Sequence, residues 1–85
     1  MFIHLGHNHI INQNEIIGIF DIENTSTSKI TREFLVEMSK KNKVIYVNED
    51  LPKSFVVVRK GNESIIYITS LASSTLKKRS GTHIL

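Results

Sequence analysis

The sequence contains no cysteine, no tryptophan and a single proline. Without cysteine there can be no disulfide, thiolate zinc site or cysteine nucleophile, and a reducing compartment fits this composition. No apolar run is long enough to span a bilayer, and the first six residues lack the basic start of a signal peptide. Glycine-rich phosphate loops, nucleophile elbows and catalytic triad patterns are also missing. We therefore expect a cytoplasmic protein that is not an enzyme, needs no cofactor and has no membrane partner.

Charge of one sign is missing from long parts of the chain. Residues 1–28 contain three acids and no lysine or arginine, whereas residues 29–85 hold all 11 cations. No acid occurs between Ser64 and Leu85, the segment that contains the densest basic run, Lys77-Lys78-Arg79. This distribution is compatible with a nucleic-acid, acidic-protein or anionic-lipid partner, and equally with a solvated surface that binds no anion.

Length and patterning predict one small α+β domain covering residues 1–85. The chain is 40% hydrophobic and 22% charged, which is typical of a soluble globular protein. Apolar residues at helical spacing predict an amphipathic helix from about Lys29 to Lys41, and a short helix is expected at Ser73–Arg79. We predict a mostly antiparallel sheet of five to six strands from the segments Phe2–Leu5, His9–Asn12, Ile16–Ile22, Lys43–Asn48, Ser54–Arg59 and Ser64–Thr69.

Two glycines have specific expected roles. Gly18, in the middle of an apolar run, favours a bulge or a close backbone approach. Gly61, followed by Asn62, suits the positive φ of a hairpin turn. The two strands that this turn joins are apolar on both faces, which is more surface than one helix covers. We therefore expect a second copy of the chain to bury one face or edge of the sheet.

Two clusters of polar residues could in principle carry chemistry. His4, His7 and His9 could bind zinc, but no carboxylate or second histidine cluster lies near them in sequence, and we interpret them as polar strand and turn residues. Glu49 and Asp50 could act as an acid/base pair, but they precede Pro52, where an acidic side chain suits a turn. We predict no metal site and no catalytic residues.

The basic run Lys77-Lys78-Arg79 allows two interpretations. It could contact phosphates together with Lys53, Arg59 and Lys60 from neighbouring loops, with avidity increased by oligomerisation. Alternatively, the three cations complete the last turn of a helix, complement its dipole and remain solvated. No aromatic residues are interleaved with them to suggest stacking on single-stranded bases.

Four segments, in this order, carry a resemblance to a known family: Phe2–Gly6, Ile16–Asp21, Pro52–Val57 and Ser73–Arg79. Together they resemble the RemA/RemB family of extracellular matrix regulators, and within it the RemB branch, over nearly the whole chain. The resemblance implies a bacterial cytoplasmic regulator of biofilm matrix genes. It also implies a LytTR-like protomer that assembles into a closed ring, with double-stranded DNA following the basic rim of the ring.

The chain departs from the family at the positions that the resemblance implies contact DNA. Where RemA-like proteins have an arginine before the third strand, this chain has Glu15. Where they have an arginine pair, it has Leu51 and Pro52, and only Lys53 is basic nearby. Our leading hypothesis is a ring-forming DNA-binding regulator, and the alternative is an oligomeric protein–protein scaffold that does not bind DNA. In the leading hypothesis the phosphate-contacting residues are Lys53, Arg59, Lys60, Lys77, Lys78 and Arg79.

Overall fold

The computed structural model describes residues 2–6, 8–23 and 28–80, and these form an α+β fold. A single 3₁₀ turn, Gln13–Glu15, replaces the polar break expected after the second strand. The two predicted helices are both present. The elements are β1 (Phe2–Gly6), β2 (His9–Asn12), β3 (Ile16–Asp21), α1 (Ser28–Lys41), β4 (Lys43–Tyr46), β5 (Ser54–Lys60), β6 (Glu63–Thr69) and α2 (Ser73–Ser80).

The described strands form two sheets, so the prediction of one sheet with five to six strands was wrong. β1 and β2 form an antiparallel hairpin, and a separate four-stranded sheet has the order β3-β5-β6-β4. β4 pairs with β6 in parallel, while the other pairs in the described part of the chain are antiparallel. The hairpin lies over the larger sheet instead of extending it, because Ile3, Leu5 and Ile11 are buried against that sheet.

Each face of the four-stranded sheet is covered from within the chain. On one face the β1–β2 hairpin and Leu76 of α2 pack against Val56, Val58 and Tyr67. On the other face Leu35 and Met38 of α1 pack against a cluster that contains Phe55 and Ile66. The apolar faces of β5 and β6 therefore do not require a second copy, because the β1–β2 hairpin covers the face that a second copy was expected to bury.

Only some of the apolar residues of helix α1 pack against the sheet. Leu35 and Met38 are half-buried, whereas Ile30 is 72% exposed. Phe34 is 41% exposed, but its ring lies 5.4 Å from the ring of Phe20 and 6.2 Å from that of Phe55. The predicted apolar stripe is therefore real, but its Ile30 end remains on the protein surface.

Gly18 lies at a β-bulge, as its position in the apolar run suggested. The register between β3 and β5 shifts between Ile16 and Gly18, leaving Ile17 54% exposed. A Cβ atom on Gly18 would lie 2.8 Å from Cε2 of Phe20, two residues along the same strand. The absent side chain is thus what allows the Phe20 ring to cover the backbone and reach Phe55, at 4.9 Å between ring centroids.

Replacing Gly18 with alanine is expected to destabilise the fold by about 1–3 kcal/mol, because the added methyl group pushes the Phe20 ring off Phe55. Urea unfolding followed by circular dichroism measures this change. The double variant Gly18→Ala/Phe20→Leu should lose less than the sum of the two single variants, since removing the ring removes the clash. Strictly additive losses would show that the clash is not the cause.

Candidate nucleic-acid interface

Strand direction separates the predicted cations of β5. Lys53 precedes the first residue of β5, while Arg59 and Lys60 are its last two residues. At about 3.3 Å per residue, the Cα atoms of Lys53 and Arg59 are about 20 Å apart. These residues therefore do not form one patch on a single protomer. We call the end of the four-stranded sheet near Lys53 the loop end, and the end near Arg59 and Lys60 the hairpin end.

The backbone at the loop end is fixed on both sides of Lys53. Its N–H donates to the carbonyl of Thr69, and its carbonyl accepts from the N–H of Ile22, both at 2.9 Å. The lysine side chain itself is exposed. Four acids belong to the same end of the sheet, so the potential around Lys53 is not that of a basic patch. They are Asp21, the last residue of β3, Glu23 two residues further on, and Glu49 and Asp50 after β4.

The hairpin end is organised by the β5–β6 turn. Arg59 pairs with Ser64 and Lys60 with Glu63 across the two strands, and Gly61 adopts the expected positive φ of 62°. The Arg59 Nε donates to the carbonyl of Gly61 at 3.2 Å, which leaves the rest of its guanidinium at the surface. Both cations are exposed, so their charges are available to a partner.

The three cations of α2 differ from one another. Leu76 is buried and attaches the helix to the sheet, and Lys77 beside it is half-buried. Lys78 and Arg79 are exposed, but the Arg79 Nη1 donates to the carbonyl of His4 at 3.1 Å. Arg79 therefore also holds α2 against β1, a structural role that neither interpretation of the basic run included.

The positions where the resemblance implies arginines lie far apart on the protomer. Glu15 is half-buried next to the first residue of β3, at the hairpin end. Leu51 and Pro52 lie in the loop before β5, at the loop end, and Leu51 is 81% exposed. A contact surface built on both places would span the length of the four-stranded sheet.

The histidines do not form a metal site in the described structure. His4 pairs with Ile10 and is exposed on the outer face of the hairpin. His9 is half-buried on the inner side, with its ring 6.1 Å from that of Tyr67. His7 lies outside the described residues. Among the described residues, no three histidine or acidic side chains come together in a metal-binding group, and Glu49 and Asp50 are exposed.

Apolar side chains remain exposed at one edge of the sheet. Tyr46, on edge strand β4, is 65% exposed, and Leu51 is more exposed still. With Ile22, Leu35 and neighbouring residues they line an open cleft of about 250 Å³ between α1 and the loop before β5. Exposed apolar side chains grouped in this way are typical of surfaces that bind another protein.

Two further cations at the hairpin end were not among the predicted contacts. Lys41 is the last residue of α1 and Lys43 the first of β4, and both are exposed. β4 begins at the hairpin end because it runs parallel to β6, with Lys43 opposite Ile65. The signal in the sequence was weak, since nothing local distinguishes a parallel strand from an antiparallel one.

Within the described ranges, neither helix combines the length and the apolar character that a membrane span requires.

The chain is a small α+β protein that carries exposed cations at both ends of its four-stranded sheet. Residues 2–79 match the family described as RemA-like, extracellular matrix regulatory protein A-like. The chain belongs to this family. It is 42% identical over 79 residues to extracellular matrix regulatory protein B of Bacillus subtilis (strain 168), covering 93% of this chain and 89% of that protein.

Proposed function

We propose that this chain is a bacterial cytoplasmic regulator of extracellular matrix genes. In this proposal it binds double-stranded DNA as a homo-oligomeric ring, through contacts to the phosphate backbone rather than to base edges. The observation that carries the proposal is membership of the RemA-like family over residues 2–79. The name of the 42% identical relative, an extracellular matrix regulatory protein, supports the same role.

Surface charge supports the DNA-binding part of the proposal. The candidate contacts Lys53, Arg59, Lys60 and Lys78 are all exposed. Because each protomer offers these cations at separate places, several protomers are needed to present a continuous row to a duplex. Ring assembly of LytTR-like protomers would supply that repetition, and the exposed Tyr46 and Leu51 offer apolar area for contacts between copies.

The acidic loop end favours a second candidate function. Leu51 and Pro52 replace the arginines that the resemblance implies, and Glu49 and Asp50 stand directly before them. Acids near a phosphate backbone weaken binding by like-charge repulsion. An oligomeric scaffold that contacts other proteins and not DNA would have no need for these arginines.

A DNA mobility shift over a salt series distinguishes the two functions. We expect the purified protein to bind a duplex of several helical turns at low salt. The binding should weaken steeply from about 50 mM to about 200 mM salt, because phosphate contacts release counterions. Absence of binding even at the lowest salt would exclude the DNA function and favour the scaffold.

Oligomerisation is tested separately by light scattering coupled to size exclusion. We expect a molar mass several times that of the 9.7 kDa chain. The double variant Tyr46→Ser/Leu51→Ser should reduce this mass, because it removes exposed apolar area without touching the core. A monomer at micromolar concentration would contradict the ring.

A further inference from the structure

We infer that the phosphate-contacting surface of this chain is its hairpin end, formed by Lys41, Lys43, Arg59 and Lys60. The loop end around Lys53 would then take no part in binding DNA. This inference rests on the proposed DNA-binding function and specifies which surface performs it. Two of the four residues, Lys41 and Lys43, come together with the β5–β6 turn only through the fold.

Adjacent strands bring the four cations together. Arg59 pairs with Ser64 of β6, and the neighbouring Ile65 pairs with Lys43 of β4. Lys43 and Arg59 are thus separated by two strand spacings, about 10 Å across the sheet. Lys41 precedes Lys43 by two residues, at the end of α1, and Lys60 follows Arg59. A duplex presents about six phosphate charges over 10 Å of its axis, so the spacing suits several contacts at once.

The two ends of the sheet have charge of opposite sign. At the hairpin end the four exposed cations face two acids, Glu15 and Glu63. At the loop end three cations, Lys29, Arg32 and Lys53, accompany four acids, namely Asp21, Glu23, Glu49 and Asp50. The balance is +4 −2 = +2 at the hairpin end and +3 −4 = −1 at the loop end. A polyanion is therefore attracted to the hairpin end and repelled from the loop end.

Neutral donors accompany the cations at the hairpin end. An open cleft of about 370 Å³ is lined by Lys41, Asn42, Lys43, Asn62, Glu63 and Ser64. Asparagine and serine side chains commonly add hydrogen bonds to phosphate oxygens beside lysine. Glu63 is the acid in this cleft, and its strand partner Lys60 partly offsets it.

The C-terminal end of α1, which is the negative end of its dipole, also lies at the hairpin end. One of its last carbonyl groups accepts hydrogen bonds from Asn42. The backbone N–H of Asn42 donates to the carbonyl of Met38 at 3.0 Å, and its Nδ2 donates to the same oxygen at 2.8 Å. A carbonyl that accepts two hydrogen bonds exposes less negative charge to an approaching phosphate. The helix end therefore does not cancel the charges of Lys41 and Lys43.

Two variants of equal net charge test the inference. The first, Lys41→Gln/Lys43→Gln, removes the two hairpin-end cations that only the fold brings to the β5–β6 turn. The matched control, Lys29→Gln/Arg32→Gln, removes two exposed cations from the first half of α1 that are not among the candidate contacts. We expect the first variant to lower the slope of log affinity against log salt by about 2, or about 1 per lost contact, and the control to keep the wild-type slope. Circular dichroism checks that both variants fold.

The possible outcomes distinguish failure of this inference from failure of the proposed DNA-binding function. Loss of DNA binding in the first variant alone, at unchanged molar mass, supports the hairpin end. Loss in the control alone, or equal loss in both, overturns the inference but leaves the DNA function standing. A fall in molar mass with DNA affinity intact would mean that the hairpin end binds the acidic end of a second copy, which also overturns it. A wild-type protein that binds no duplex at low salt removes the DNA function itself.

Discussion

Replacing Phe55 with alanine is expected to leave much of the chain unfolded under native conditions. Phe55 has no exposed surface, and its ring packs edge-on against Phe20 at 4.9 Å between centroids, below helix α1. Truncating a buried phenylalanine costs about 3–5 kcal/mol, counting the lost transfer energy and the cavity left behind. A chain of this length has about 4–13 kcal/mol of stability in total, so the loss is a large part of it.

Urea unfolding monitored by circular dichroism gives the free energy of the Phe55→Ala variant. Phe2→Ala is the matched control, because it removes the same side chain from a position that is 70% exposed. We expect the control to change stability by less than about 0.5 kcal/mol. Equal midpoints for the two variants would show that the cluster under α1 contributes little to folding.

Replacing Leu76 with alanine is expected to cost about 2–5 kcal/mol and to release α2 from the sheet. Leu76 is 1% exposed and is the buried residue of α2 in the cluster that also contains Ile3, Leu5 and Ile19. Without it, α2 loses its buried apolar contact with the sheet, and the hydrogen bond from Arg79 to His4 that remains is exposed. A short helix without a packed apolar residue is not stable in water.

Hydrogen exchange distinguishes release of α2 from general destabilisation. In Leu76→Ala the amides of α2 and β1 should lose more protection than those of β5 and β6. Ile30→Ala, which truncates an isoleucine of α1 that is 72% exposed, is the control and should leave all of these amides unchanged. Uniform loss of protection across the sheet would mean that α2 and the sheet unfold together.

Local patterns predicted the elements well. The spacing of Leu35 and Met38 identified the inner face of α1, and Gly61 identified the hairpin turn. Gly18 was expected to mark a bulge or close approach and does both. These features depend on residues a few positions apart, and their physical causes act within one helix turn or one strand.

Pairing over long sequence distances was not predictable in the same way. Nothing near Lys43 indicates that β4 runs parallel to β6, and nothing near Ile3 indicates that the hairpin covers β5 and β6. Because the β1–β2 hairpin covers this face, the apolar residues of β5 and β6 do not by themselves require a second copy, and the oligomer stays a prediction. The separation of Lys53 from Arg59 was available from the sequence, since the two residues flank one predicted strand.

The packing of the first strand against the last helix also determines when this protein can fold during synthesis. The hydroxyl of Thr69 donates to the carbonyl of Leu5 at 2.8 Å, and Leu76 completes the same cluster. A ribosome adds about 5–20 residues per second, so Ile3 and Leu5 wait for seconds without their partners. During that time the nascent chain exposes an apolar hairpin, which a chaperone could bind. The cluster that contains Ile3, Leu5 and Leu76 can pack only after nearly the whole chain has been made.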